Sequence, residues 1–185
     1  LIALAVEHVR RGLAAVALGA LVRGVRRLPS RNPLLAALPY AVTLGLFVIA
    51  SRLTTAANAV FLQSTAPVWV TLLGPWLLHE RVRARDLVTV LLLIGGAVLF
   101  FLADDAASEV AVNPTLGNLL AAISGLTWAI TVIALRGLGR SGAGTPASAA
   151  TLGNAIACFA GLWFLSFDEL ANAGHVDWLA LLWLG

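Results

Sequence analysis

The run NAVFLQSTAPVWV, residues 58–70, places an Asn, a Gln, a Ser, a Thr and a Pro inside an apolar stretch from Thr54 to Leu78. Amide and hydroxyl groups there can hydrogen-bond a polar solute. Pro67 removes the N–H that the Gln63 carbonyl would receive in a regular helix, and its ring favours a kink. An apolar helix interrupted near its middle, with acceptors gathered at one depth, is the usual pointer to a solute site inside a membrane. The competing reading is that the same groups hydrogen-bond between helices. At about 100° per residue, Asn58, Leu62, Thr65, Trp69 and Trp76 share one face, with Gln63, Ser64, Pro67, Thr71 and Gly74 roughly opposite. Polarity on both sides predicts a helix enclosed by protein.

Other patterns that look chemical carry less. GLGRSG at 137–142 spells G-x-G-x-x-G, but that fingerprint binds a dinucleotide only where a strand precedes it and a helix follows. Here it follows an apolar helix and is expected to form a loop. His79-Glu80 opens HERVR, which lacks the second His of a zinc-protease helix, and no His, Cys or carboxylate cluster has metal-ligand spacing. No base stands beside a nucleophile. The residues therefore point to no catalytic constellation, no metal and no cofactor, and the protein is not expected to be an enzyme. Glu80 reads as an interfacial acid that can pair with Arg81, Arg83 or Arg85; proton binding is its other reading. Cys158 reads as a small buried residue.

The elements that must position these groups follow from composition. The chain is 60% hydrophobic and 11% charged, where a soluble domain carries roughly a quarter charged residues. Its apolar residues form blocks near the ~20 residues that cross a bilayer. This predicts an all-α, polytopic transmembrane helical bundle with segments at 1–22, 34–51, 55–78, 87–103, 115–135 and 146–167, and a truncated one from Val176. Glu7, His8, Arg10 and Arg11 burden the first segment. Both ends look cut, and no secretory leader is indicated. The net charge of +3 comes from arginines between apolar blocks, so no nucleic-acid partner is expected. Loops 23–33, 79–86 and 136–145 hold arginines, whereas ADDAASEVAVNP and FDELANAGHVD hold none. Positive loops mark the cytoplasmic side. Gly117, Ala121 and Gly125, like Gly153, Ala157 and Gly161, recur every four residues and predict close helix packing.

The stretch from Leu53 to Phe101, with Pro67, Glu80-Arg81 and Gly95-Gly96, resembles the second half of an EamA repeat of the drug/metabolite transporter superfamily. TLGNLLAAISGLTWAITVIALR, with Gly117 and Trp128-Ala129, resembles the opening of a second repeat. The resemblance spans Leu34 to Arg136. It implies ten helices in two inverted repeats, about six to seven of them present here. Residues 1–103 would be a partial first repeat (helices two to five), 104–114 an extracytoplasmic linker, and 115–185 a partial second repeat (helices six to the start of eight). It further implies an inner-membrane permease or exporter moving an amino acid, metabolite or drug by alternating access. The expected cavity residues are Asn58, Gln63, Thr65, Pro67, Thr127, Trp128 and Asn154, with Arg52 as a carboxylate contact or an interfacial anchor. The partners are the lipid bilayer and the solute, with a homodimer as a candidate assembly. The rival readings are a non-transporting membrane scaffold and an intramembrane enzyme whose catalytic residues lie beyond these ends.

Overall fold

The computed structural model describes residues 31–103, 111–142 and 144–163. The expected first segment, most of the acidic connection and the expected seventh segment lie outside them. The described residues contain six helices: α1 (Arg31–Leu53), α2 (Ala56–Gln63), α3 (Ala66–Leu78), α4 (Ala84–Ala103), α5 (Pro114–Ser141) and α6 (Pro146–Trp163). No strand occurs among these residues. Among the described residues, three stretches are long and apolar enough to cross a membrane: Pro33–Leu53, Ala56–Leu78 and Pro114–Ser141.

Local chemistry sets the helix starts. Thr55 caps α2 by accepting the Asn58 N–H at 3.2 Å. Asn113 caps α5, its side chain accepting the Leu116 N–H at 3.1 Å, and Pro114 follows where its missing N–H costs nothing. Thr145 and Ser148 cap α6 reciprocally, through Ser148 N–H to Thr145 Oγ1 at 3.2 Å and Thr145 N–H to Ser148 Oγ at 3.1 Å, again before a Pro. At the start of α4 the Asp86 carboxylate accepts the Arg83 N–H at 2.9 Å.

The expected loops shrink accordingly. Residues 31–33 belong to α1, 84–86 to α4 and 136–141 to α5, so GLGRSG forms the end of a helix rather than a loop. Gly137 and Gly139 lower helix propensity without forbidding the conformation. The chain turns only at Gly142, whose φ of +63° suits a residue without Cβ.

Two compact units arise, Val42–Gly137 and Leu1–Ala41 together with Leu138–Gly185. The first is centred on Ala50, Ala59 and Ala121, with Phe47, Leu62 and Leu120 packed on them. The small residues of α5 do the packing expected of them. A Cβ at Gly117 would stand 2.6 Å from the Thr54 nitrogen and 2.9 Å from the Leu53 carbonyl carbon. In the second unit, a Cβ at Gly153 would collide with the Tyr40 ring.

α4 leaves Leu87, Val88, Leu91, Leu92, Ile94, Val98 and Leu99 exposed. In water so continuous an apolar face would aggregate; in a bilayer it meets lipid. Polar side chains facing outward are satisfied within their own helices. Ser64 Oγ donates to the Val60 carbonyl at 2.8 Å, Thr71 Oγ1 to that of Pro67 at 2.9 Å and Thr89 Oγ1 to that of Arg85 at 3.0 Å. This corrects the expectation that polarity on both sides encloses the 55–78 segment: Ser64 and Pro67 are exposed, because a hydroxyl bonded to its own backbone needs no neighbouring helix.

Glu80 pairs with Arg136 of α5 at 3.3 Å, a partner distant in sequence and not among the arginines expected from the loop. It follows His79, which ends α3 in the left-handed region at φ 54°. Both charged side chains are partly exposed, so Arg136→Ala is expected to cost no more than about 1 kcal/mol in denaturant unfolding. A larger loss would show that the pair is desolvated.

Candidate functional site

The 55–78 segment is interrupted near its middle. α2 ends at Gln63, Ser64 and Thr65 form a turn, and α3 begins at Ala66. The cause is Pro67 in the first turn of α3: with no N–H at 67, the Gln63 carbonyl loses its helical donor. Neighbouring bonds tighten to compensate. Thr65 N–H reaches the Leu62 carbonyl at 3.2 Å and Val68 N–H reaches that of Thr65 at 2.9 Å, the i→i−3 pattern of a 3₁₀ turn. Thr65 Oγ1 also donates to the Leu62 carbonyl at 2.7 Å. One proline thus groups backbone and side-chain acceptors near the middle of a membrane-length stretch.

The break rests on α5. A Cβ at Gly125 would lie 3.0 Å from the Leu62 carbonyl oxygen and 3.1 Å from both the Gln63 carbonyl oxygen and Thr65 Oγ1. Glycine at 125 lets the interrupted backbone approach this closely. Further along α5, Thr127 accepts a hydrogen bond from Thr43 Oγ1 at 2.8 Å and donates to the Ser124 carbonyl at 3.0 Å. Ser124 and Thr131 bond to the carbonyls of Ala121 at 2.7 Å and Thr127 at 2.9 Å. Among the described residues, Thr43, Ser124 and Thr131 are the largest fully buried side chains. They were missed as site neighbours, although Ser124, Thr127 and Thr131 at i, i+3 and i+7 lie along one helix face.

Of the seven expected cavity residues, six belong to the Val42–Gly137 unit. Asn58 is buried, Gln63 and Thr65 are half-buried, and Pro67 and Trp128 are exposed. Thr127 is half-buried and held by the hydroxyl chain just described. Asn154 belongs to the other unit, where it is buried and accepts from the Tyr40 hydroxyl at 3.4 Å. Arg52 is exposed in the last turn of α1, where a cation complements the helix dipole.

Asn58 stands apart from all of these. Only 5% of it is exposed, and its Oδ1 is buried with no hydrogen-bond partner. An unserved buried acceptor costs roughly 1–3 kcal/mol.

Residues 8–102 match the model of the EamA-like transporter family. The chain belongs to that family. It is therefore a multi-pass membrane protein of a transporter family, which agrees with its all-helical fold and apolar helices. The EamA match contains Asn58, Gln63, Thr65 and Pro67, and it ends before Thr127, Trp128 and Asn154. No curated protein and no solved structure matches the chain.

Proposed function

We propose that the protein moves a small organic solute, an amino acid, metabolite or drug, across the inner membrane by alternating access. In this reading Asn58, Gln63, Thr65, Pro67, Thr127 and Trp128 line the solute's path. Residues 1–103 and 115–185 are parts of two inverted repeats, and the arginine-bearing connections, His79–Arg83 among them, face the cytoplasm. The observation that carries the proposal is the break at Ser64–Thr65 inside an apolar stretch of 23 residues. Regular helix would have been the cheaper way to cross lipid, since it satisfies every backbone group internally. A break kept within a transporter-family chain has its best physical use in presenting backbone and side-chain acceptors to a solute.

The test is solute counterflow in proteoliposomes, screened across amino acids and small amines. Asn58→Ala and Gln63→Ala are each expected to lower flux about tenfold, the loss of a hydrogen bond near 1.4 kcal/mol, with membrane expression unchanged. Full flux in both variants would remove this site. No flux of any solute in the wild type would favour a non-transporting scaffold.

A further inference from the structure

The buried polar side chains of the Val42–Gly137 unit close on one another or on the backbone. Thr43 bonds to Thr127, Thr54 Oγ1 to Asn118 Oδ1 at 2.7 Å, and Ser124 and Thr131 to carbonyls one turn back. Asn58 Oδ1 is the exception among the described residues. A chain that satisfies its other buried hydroxyls there and leaves one amide oxygen empty has not simply run out of partners. Leucine at 58 would fill similar space without the penalty.

We propose that Asn58 Oδ1 receives an N–H of a primary ammonium group on the transported solute; this rests on the transport reading above. The vacant atom is an acceptor, so only a donor can serve it. The surroundings in the chain point the same way. The Thr65 hydroxyl proton is committed to the Leu62 carbonyl and the Val68 N–H to the Thr65 carbonyl, while Pro67 has no N–H to give. Along the same stretch the Gln63 carbonyl also lacks its helical donor, because residue 67 is proline. No charged side chain lies between Leu53 and Leu78, so a carboxylate would find no cation in this stretch. An ammonium group carries three donors, and its charge makes each bond to an amide or carbonyl oxygen roughly twice as strong as a neutral one.

The probe pair is 2-phenylethylamine and its N,N,N-trimethyl derivative, which share a ring and a charge and differ in N–H donors. Thermal unfolding of the purified protein in detergent is expected to shift upward with the amine and not with the trimethyl compound. Asn58→Leu is expected to weaken the amine's apparent affinity by about tenfold or more, and Asn58→Asp to retain it. Without probe, Asn58→Leu is expected to unfold at the wild-type temperature or above. Equal shifts with both probes, no shift with either, or a lower unfolding temperature for probe-free Asn58→Leu would each overturn the inference. Flux that is sensitive to Gln63→Ala but indifferent to solute N–H groups would sink this inference alone. Loss of all flux in the wild type would instead sink the transport reading.

Discussion

Gly117→Ala is expected to be among the most destabilising single-methyl changes in the protein, costing about 3 kcal/mol or more, at or above the top of the usual range for overpacking. The added carbon would lie 2.6 Å from the Thr54 nitrogen, 2.7 Å from Thr54 Cβ and 2.9 Å from the Leu53 carbonyl carbon. Two of these are backbone atoms where α1 gives way to the Thr55 cap, and they are pinned there. Leu53 O accepts the Asn113 N–H at 2.9 Å, and Thr54 Oγ1 holds Asn118 at 2.7 Å. No rotamer change can make room, so α5 must move away from α1 and give up its contact around Ala50, Ala59 and Ala121. Gly125→Ala meets oxygens at 3.0 and 3.1 Å and should cost less, because a few tenths of an ångström suffice. Gly95→Ala and Gly96→Ala have nothing within 4 Å, and each should gain up to about 1 kcal/mol of helix propensity. Unfolding of the four variants in a graded denaturing detergent checks the order. Equal effects at Gly117 and Gly95 would mean that the small residues of α5 do not mediate packing.

That ranking marks how far the sequence could be read. The spacing of Gly117, Ala121 and Gly125 announced a packing stripe, because four-residue recurrence is a helix property independent of the partner. What the stripe packs against was not legible, since Thr54 and Gly117 meet through tertiary structure. The same holds for Thr43 with Thr127 and for Glu80 with Arg136, pairs 84 and 56 residues apart. The C-terminal end of α5 was misread because Gly and Arg resemble loop composition, while backbone conformation there changes only at Gly142. The shared face from Asn58 to Trp76 presumes one helical register, and the turn at Ser64 and Thr65 interrupts that register. Pro67 made the interruption legible. That Asn58 would be left without a partner could not be read, because it depends on which groups each neighbour has already satisfied.

Pro67→Ala is expected to heal the break, stabilise the protein and reduce transport. Ser64 and Thr65 already lie in the right-handed helical region, at φ −66°, ψ −5° and φ −70°, ψ −6°, so a small change in ψ would make the backbone regular. Alanine at 67 supplies the N–H that the Gln63 carbonyl lacks and relieves the ring's clash with it, together worth up to about 3 kcal/mol in a helix interior. α2 and α3 would then join into one helix from Ala56 to Leu78, and the i→i−3 bonds at Thr65 and Val68 would relax to i→i−4. Amide exchange at residues 64–68 should slow as the thermal midpoint rises. If the break presents oxygens to solute, the same substitution removes them, and flux should fall roughly tenfold, matching the loss of one good hydrogen bond. Pro75→Ala is the control, because α3 runs unbroken through Pro75; it should add stability and leave flux alone. A healed helix with undiminished flux would separate the break from transport and leave Pro67 a purely structural punctuation.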